Sequence, residues 1–253
     1  MRLILGFTKP RQPILGMVLA GEVEAIGKQV TRFHLGDQVY AFNPFRFGAY
    51  AEYTCLPETS VLAVKPSTVN YDEAAALPFG GLLALHFLRK GQIHSGQNVL
   101  IYGASGAVGT AAVQLARSFG ATVTGVCSTT NVALVQSLGA ERVLDYTKEE
   151  QLDSGARYDL VFDAVGNTKS SPLKEQCKAA LTPSGTYLSV DDGRPQVQTE
   201  GLRFLKELVE AGKLQAVIDK RYPLEHMADA HRYVETGHKR GNVVITVAHA
   251  SIR

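Results

Sequence analysis

Residues 98–109 read NVLIYGASGAVG, and this segment joins an apolar strand pattern directly to a glycine-rich turn. An amphipathic helix pattern follows at residues 107–119. In such a segment one glycine lets the backbone approach a pyrophosphate, while the helix N-terminus offers it free amides. Gly106 is expected to play the first role, and Gly109 is expected to let the helix pack close to the sheet. The segment predicts a dinucleotide-phosphate site, the alternative being a glycine turn in an α/β domain that binds nothing.

Strand and helix patterns alternate along most of the chain. Strands are predicted at residues 98–102, 122–127, 142–146, 159–164, 186–190, 216–219 and 242–247, and helices at 72–77, 80–90, 107–119, 131–138, 173–181, 202–211 and 225–235. Such alternation implies a parallel sheet covered on both faces. The preceding part is different, with short strands predicted at 18–25, 38–42, 49–56 and 61–64 between glycine, proline and asparagine turns. The fold class predicted is therefore α/β, with an all-β region in front of the parallel sheet.

Composition narrows the class of protein. The chain has 253 residues and a net charge of +2, with charges of both signs interspersed, so we expect neither nucleic acid nor an anionic membrane as a partner. Three cysteines that are far apart argue against a disulfide framework and indicate a reducing compartment. The apolar opening, residues 1–7, is too short for a signal peptide, and no apolar run approaches the roughly 18 residues of a membrane helix. We therefore expect a cytoplasmic protein.

The end of the second predicted strand bears on the choice of dinucleotide. An NAD site usually has an acid here that bonds the ribose 2′-hydroxyl. Residues 126–130 instead read VCSTT, which offers hydroxyls and no carboxylate that would repel a 2′-phosphate. This pattern favours NADP(H). NAD(H) stays open, because no arginine or lysine is adjacent and Lys148 or a residue from elsewhere in the fold would have to supply a positive charge.

Motifs along the whole chain resemble the medium-chain dehydrogenase/reductase superfamily, in its zinc-independent quinone oxidoreductase and enoyl-reductase-like branch. The stretches that carry the resemblance are LAGEV with IG at 19–27, GDQV at 36–39, GAYAEY at 48–53, EAAALP at 73–78, the loop at 103–109, LGA at 138–140, DAVG at 163–166 and GNVV at 241–244. The resemblance implies a Rossmann-type parallel-sheet domain and a GroES-like β domain that is N-terminally incomplete. The domains expected are residues 1–68 (GroES-like catalytic), 69–213 (Rossmann) and 214–253 (C-terminal return to the catalytic domain).

The resemblance also implies cofactor contacts. The residues concerned are Ser105, Gly106, Ala107 and Val108 at the pyrophosphate, Ser128 and Tyr146 beside the adenosine ribose and its 2′-phosphate, Val165 and Gly166 after the fourth strand, and Asn242 near the nicotinamide. Two of these have plain structural alternatives. Tyr146 has the sequence position of a strand-end aromatic residue, and Asn242 has that of a turn residue.

The chain departs from the family pattern in two places. Zinc-dependent relatives have Gly-His-Glu where this chain has Gly16-Met17-Val18, and their spaced structural cysteines are missing, so no metal site is expected. His226 and His231 do not restore one, since they are five residues apart in an ordinary surface-helix pattern. Family members also usually have several tens of residues before the segment that matches Ile14. A truncated β domain is expected to have unpaired edges and exposed apolar faces.

The activity expected is hydride transfer from NAD(P)H to a quinone or an α,β-unsaturated carbonyl, with a small-molecule carbonyl or quinone as the partner. Tyr50 is the candidate proton donor, ahead of Tyr40 and Asn43, and the alternative for Tyr50 is a core aromatic residue of the β domain. Two other functions stay open: an NADP(H)-binding protein without turnover, and a zinc-type alcohol dehydrogenase, which the absent ligands disfavour. A homodimer is the oligomer that the resemblance suggests.

Overall fold

The structure is a computed structural model that describes residues 13–44, 46–148, 151–168 and 171–247. Its first part, residues 13–64, is an antiparallel β region. Among the residues described there, three strands pair in chain order: β1 (Val18–Glu22), β2 (Gln38–Phe42) and β3 (Val61–Val64). Three of the predicted strands are thus confirmed, although the first ends at Glu22. The outer ends of the first and third predicted domains, residues 1–12 and 248–253, lie outside the described residues.

The strand predicted at residues 49–56 is wrong. This segment consists of bends and irregular backbone, and Gly48 before it has a left-handed φ of +99°. The amides of Gly48 and Tyr50 both donate to the Leu15 carbonyl, at 3.1 and 2.9 Å, and Ala49 donates to Gly16. In a strand ladder, successive amides of one strand donate to different carbonyls along the neighbouring strand. Two amides that donate to the same carbonyl are not compatible with such a ladder. The segment with the alternating pattern is therefore a turn that packs against residues 15–16.

The parallel sheet and its helices follow from residue 71. In chain order the elements are α1 (Tyr71–Ala76), α2 (Pro78–Lys90), β4 (Asn98–Tyr102), α3 (Ala107–Ser118), β5 (Thr122–Cys127), α4 (Val132–Ser137), β6 (Arg142–Asp145), β7 (Tyr158–Asp163), α5 (Pro172–Ala179), β8 (Leu181–Ser189) and α6 (Thr199–Glu210). In the described part of the chain the sheet has five strands, all parallel, in the order β6-β5-β4-β7-β8. This confirms the Rossmann-type α/β fold, with β8 starting five residues earlier than predicted.

The sheet is buried on both faces. Leu100 and Ile101 are consecutive in β4 and fully buried, and they belong to different apolar clusters, as expected because successive side chains of a strand point to opposite faces. On the face of α2, α3 and α6, Phe87 stacks on Phe162 with ring centroids 5.4 Å apart. On the other face Leu173 of α5 is 3% exposed. Each such side chain contributes roughly 1.5–3 kcal/mol to folding, so the carboxyl ends of the strands are held on a rigid base.

The last part of the chain returns to the β region and to the glycine-rich loop at residues 103–109, which we call the phosphate loop. Its elements are β9 (Ile218–Pro223), α7 (Met227–Glu235) and β10 (Asn242–Thr246), with β9 and β10 paired in parallel. The strand predicted at residues 216–219 is therefore present but starts at Ile218. Gln215 and Gln114 of α3 exchange two hydrogen bonds, of 2.9 and 3.1 Å, which fix the start of the return. None of the helices in the ranges described is both long and apolar enough to cross a bilayer.

Candidate functional site

The glycine-rich loop turns tightly between β4 and α3. Gly103 has a φ of +78°, and the amides of Gly103 and Ala104 both donate to the Val126 carbonyl at the end of β5, at 3.0 and 2.9 Å. Gly106 then adopts extended backbone as the residue before α3. The first amides of a helix have no acceptor within it, so the N–H groups of Ala107, Val108 and Gly109 are not used by α3 itself. This is the geometry that binds an anionic group.

Gly106 and Gly109 differ in what a side chain would meet. A Cβ on Gly109 would lie 2.1 Å from the Gly103 carbonyl oxygen, so only glycine permits this helix–loop contact. A Cβ on Gly106 would have the same oxygen as its nearest neighbour at 3.6 Å, which is ordinary contact. A side chain at Gly106 is thus compatible with the fold, but it would fill the space in front of the helix N-terminus. Open space in front of a helix N-terminus is what a pyrophosphate site requires.

Ser105 and Ser128, predicted for two different parts of the cofactor, are joined by one buried side chain. The Asn131 amide Nδ2 lies 3.2 Å from Ser105 Oγ and 3.1 Å from Ser128 Oγ, and Asn131 is only 7% exposed. The sequence analysis missed Asn131. A signal was present, since the residue follows the end of β5 and shares the edge of the sheet at which ligands of this fold bind.

An acid lies near this edge even though none occurs in residues 126–130. Asp145, at the end of β6, accepts hydrogen bonds from Thr129 Oγ1 (2.5 Å) and from the amide and hydroxyl of Thr147 (3.0 and 2.6 Å). Burial by itself raises the pKa of the Asp145 carboxyl, but these hydrogen bonds and Lys148 outweigh it and hold the pKa below its usual value. The Lys148 ammonium lies 3.9 Å from Asp145 with its side chain 67% exposed. The lysine named from the sequence is therefore at this edge, together with an ionised carboxylate.

Tyr146 directly follows β6 and lies beside the end of β5. Its amide donates to the Cys127 carbonyl at 3.1 Å, which places it against the residue that precedes Ser128. Its side chain is one of the exposed large apolar groups, with 48% of its surface accessible. A strand-end aromatic residue that serves only the core would be covered, so the exposed ring offers a flat surface to a ligand at the adenosine end.

Val165 contacts the loop from the end of β7, and Gly166 follows it in the chain. A Cβ on Gly103 would lie 2.4 Å from Val165 Cγ2, so the two loops touch. The Asp163 carboxylate accepts from the amides of Val165 (3.0 Å) and Gly166 (3.1 Å). Asp163 itself is 1% exposed and pairs with the Lys174 ammonium at 2.6 Å. This buried pair fixes the backbone of the second loop.

The C-terminal return contacts the phosphate loop directly. Gly241 forms a parallel bridge with Gly106, and its amide donates to the Ser105 carbonyl at 2.8 Å. Lys239 reaches the Gly241 carbonyl with its ammonium, at 2.6 Å; burial lowers the pKa of that ammonium, and Asp219 partly offsets the effect. Asn242 is adjacent, but both its backbone and side-chain amides donate to Val217, at 2.8 and 3.1 Å. These bonds favour the structural interpretation of Asn242.

Tyr50 lies in the β region against the return. Its ring is 6.0 Å from that of His231 in α7, at 73°, and a Cβ on Gly16 would lie 2.6 Å from its Cδ1. Burial raises the pKa of the Tyr50 phenol, so it stays protonated at neutral pH. These contacts join the β region to α7. A catalytic role for Tyr50 thus remains a prediction.

The two weaker candidates have different environments. Tyr40 is fully buried, and its hydroxyl donates to the Leu202 carbonyl of α6 at 2.5 Å, so it ties the β region to the sheet domain. Asn43 donates its backbone amide to Met17, at 2.6 Å. Its side-chain Nδ2 is buried and has no hydrogen-bond partner among the residues described. A buried donor without an acceptor is costly, so Asn43 is the better of the two candidates for contact with a ligand.

In the ranges covered by the structure, no three His, Cys, Asp or Glu side chains are grouped so that they would hold a metal ion.

Known families match three parts of the sequence. A family described as zinc-binding dehydrogenase matches residues 107–214, a second family with the same description matches residues 192–245, and an alcohol dehydrogenase GroES-like domain matches residues 2–66. These ranges agree with the parallel-sheet domain and the antiparallel β region. The two-part architecture is thus that of a GroES-like domain and a Rossmann-type domain.

Similar proteins that are named as oxidoreductases place the chain in the same family. The chain is 35% identical over 93% of its length to an NADPH-dependent alkenal/one oxidoreductase of Arabidopsis thaliana, and it spans 64% of that protein. It is 32% identical to a chloroplast envelope quinone oxidoreductase homolog of the same plant, with 90% of this chain and 78% of the relative covered. The solved quinone oxidoreductase of Coxiella burnetii superposes with a TM-score of 0.87 at 30% identity, over 97% of this chain and 82% of that one. The chain therefore belongs to the medium-chain dehydrogenase/reductase superfamily, with quinone and alkenal/one oxidoreductases among its relatives.

Proposed function

We propose that this protein binds NADP(H) and transfers hydride to a quinone or an α,β-unsaturated carbonyl without zinc. The observation that carries the proposal is the phosphate loop. The first amides of α3 have no acceptor within the helix, and a Cβ on the preceding Gly106 would meet only the Gly103 carbonyl oxygen, at 3.6 Å. The hydroxyls of Ser105 and Ser128 both accept from Asn131. Relatives named as alkenal/one and quinone oxidoreductases support the substrate class.

Different residues would contact different parts of the cofactor. The amides of Ala107 and Val108 would hold the pyrophosphate, assisted by the helix dipole. Ser128, Tyr146 and Lys148 would surround the adenosine ribose and its 2′-phosphate. We favour NADP(H) because hydroxyls and a lysine meet at this end, and a relative is named as NADPH-dependent. Asp145 opposes a 2′-phosphate, although its charge is shared with Thr129 and Thr147, and NAD(H) therefore remains the second choice.

The chemistry needs a hydride and a proton. When bound, reduced nicotinamide supplies the hydride, and the protein supplies orientation and a place from which water is excluded. An enolate or hydroquinone oxygen develops as hydride arrives, and it needs a donor. Tyr50 is proposed to give that proton, since burial keeps its phenol protonated, and the unpaired amide of Asn43 is proposed to bind the substrate oxygen.

Zinc independence is proposed from the residues present. Gly16-Met17-Val18 replaces the Gly-His-Glu of zinc-dependent relatives, and methionine and valine offer no ligand that zinc prefers. Dialysis against a strong chelator followed by elemental analysis tests this. Turnover that survives with less than a tenth of an equivalent of zinc supports the proposal, and turnover that returns only with added zinc overturns it.

The domain boundaries, the oligomeric state and the location are proposed from the sequence pattern and the family resemblance. We retain the division at residues 1–68, 69–213 and 214–253, a homodimer, and partners limited to small molecules rather than nucleic acid or membranes. A reducing compartment such as the cytoplasm suits the three cysteines, all of which are free thiols, with Cys127 and Cys177 buried. Size-exclusion chromatography with light scattering tests the dimer, because a measured mass equal to that of one chain would overturn the proposal.

The function is tested in two steps with the purified chain. Fluorescence titration measures the Kd for NADPH and NADH. Oxidation of NADPH is then followed at 340 nm with 9,10-phenanthrenequinone and with a short enal as acceptors. We expect tighter binding of NADPH than of NADH, and oxidation with at least one acceptor. Binding without oxidation of any acceptor would indicate a nucleotide-binding protein without turnover, and absence of binding would overturn both interpretations.

A further inference from the structure

Asn131 occupies a helix-capping position without acting as a cap. It ends the turn Thr129–Asn131 and precedes α4, where an asparagine side chain normally accepts hydrogen bonds from the first helical amides. In this protein the side chain makes no such bond. It points instead across the edge of the sheet to Ser105 and Ser128. Local helix stability therefore does not explain why a buried asparagine lies there.

The direction of these hydrogen bonds determines where the serine protons point. Nδ2 is a donor, so both serine oxygens accept from Asn131 at 3.2 and 3.1 Å. A hydroxyl that accepts from one neighbour keeps its own O–H free to donate elsewhere. Ser128 also lies 3.3 Å from the Thr130 hydroxyl, which extends the chain of hydroxyls toward the exposed edge. Two hydroxyls from different loops are thus turned into donors by a single amide.

The arrangement leaves the other atom of the amide unsatisfied. Within the residues that the structure describes, Asn131 Oδ1 is buried and has no hydrogen-bond partner. A buried acceptor that is left unpaired destabilises the folded state. An aliphatic residue at position 131 would avoid that cost but could not orient the two serines. This is the pattern expected of a polar side chain that serves ligand binding rather than stability.

We infer that Asn131 is a positioning residue that turns the Ser105 and Ser128 hydroxyls into donors for the pyrophosphate and the 2′-phosphate of NADP(H), respectively. The inference rests on the proposed function. Ser105 lies in the loop assigned to the pyrophosphate, which both dinucleotides share, and Ser128 lies at the end assigned to the 2′-phosphate, which only NADP(H) has. Asn131 should therefore affect the affinity for NADPH more strongly than that for NADH.

Asn131→Asp is the sharpest test, because it keeps the shape of the side chain and removes its donors. The carboxylate would accept both serine protons, turn them away from the ligand and add a negative charge between two phosphate sites. We expect the affinity for NADPH to fall about 100-fold and that for NADH about tenfold, from like-charge repulsion in a partly buried site. Asn98→Asp is the matched control, since it adds the same charge at the amino end of β4, away from the loop.

Affinities are measured by fluorescence titration, and thermal melting shows whether each variant folds. Asn131→Ala is the second variant should Asn131→Asp fail to fold, with about a fivefold loss of NADPH affinity and a smaller loss for NADH expected. Folded variants that bind NADPH within twofold of wild type, or that lose both dinucleotides by the same factor, would overturn the inference alone. A wild-type chain that binds neither dinucleotide would instead overturn the proposed function and the inference with it.

Discussion

The carboxyl end of the parallel sheet and the antiparallel β region contribute different kinds of groups to the candidate site. At the sheet end, amides and hydroxyls are fixed by hydrogen bonds, such as that from Ala104 to the Val126 carbonyl at 2.9 Å. In the β region Tyr50 packs through its ring, and Leu35 and Tyr53 expose 64% and 54% of their surface. The first region is thus a set of hydrogen-bonded groups that we propose to bind the anionic parts of the cofactor, whereas the second presents exposed apolar and aromatic side chains. Cofactor affinity and turnover should therefore respond to different mutations.

Gly106→Asp should remove cofactor binding and leave the fold intact. The added carboxylate would occupy the space in front of α3, where two like charges about 4 Å apart repel by about 4 kcal/mol at an effective dielectric of 20. We expect the affinity for NADPH to fall about 1,000-fold, as measured by fluorescence titration. Gly155→Asp is the matched control, because Gly155 is exposed, lacks a positive φ and has no atom within 4 Å of a Cβ. NADPH affinity retained within tenfold would show that the anion site lies elsewhere.

Asp163→Ala tests whether the sheet end is as rigid as its hydrogen bonds indicate. The substitution leaves Lys174 buried without its carboxylate and removes the acceptor of the Val165 and Gly166 amides. Breaking such a buried pair is expected to cost about 3 kcal/mol in the free energy of unfolding, as measured by urea denaturation. The control is Glu200→Ala, whose partner Arg203 is 56% exposed, and its cost should stay below about 1 kcal/mol. Equal costs for the two variants would contradict a rigid sheet end.

The parts of the site that follow a single strand were predictable. The loop at residues 103–109 and the pair Val165–Gly166 each come directly after an apolar strand, and parallel strands bring their carboxyl ends to one edge. Asn131 and Asp145 were missed because their partners lie on other elements. Asn131 reaches Ser105, which is 26 positions away in sequence. Asp145 pairs with Cys127 across β5 and β6 and accepts a hydrogen bond from Thr129. One sequence without strand order does not show that adjacency.

The β region was harder to predict for a physical reason. Residues 49–56 alternate like a strand, yet the amides of Ala49 and Tyr50 donate to residues 15–16, and Gly48 turns the chain with a positive φ. Such pairing depends on long-range contacts that a local pattern does not encode. The environment of Tyr50 was unpredictable for the same reason, since His231 lies 181 positions away.

Tyr50→Phe should separate turnover from cofactor affinity. Loss of the phenol removes the proposed proton donor but keeps the ring that packs on His231. General-acid catalysis typically contributes at least about 100-fold, so kcat with an enal should fall by about that factor, while the Kd for NADPH stays within twofold. Tyr53→Phe is the control, because Tyr53 is a nearby tyrosine with an exposed ring. Unchanged turnover would assign Tyr50 to packing alone and would leave Asn43 as the donor to test.

The smallest expected effect concerns Asp219, which holds the return that joins the two regions. Burial alone raises the pKa of its carboxyl, but hydrogen bonds from Tyr233 and Arg240 outweigh burial and hold the pKa below its usual value. A carboxyl with a lowered pKa in the folded state stabilises the protein above its unfolded pKa, near 3.9, and that contribution is lost as the pH falls through the folded value. Asp219→Asn should therefore cost about 1 kcal/mol at pH 7, and the gap to wild type should narrow below pH 4. Urea unfolding between pH 7 and pH 3 measures this, with the exposed Glu207→Gln as the control for loss of one carboxylate. If the difference in the free energy of unfolding stays constant with pH, the contribution of Asp219 comes from its hydrogen-bonding shape and not from its charge. The packing of the C-terminal return between the two regions would then not depend on charge at this position.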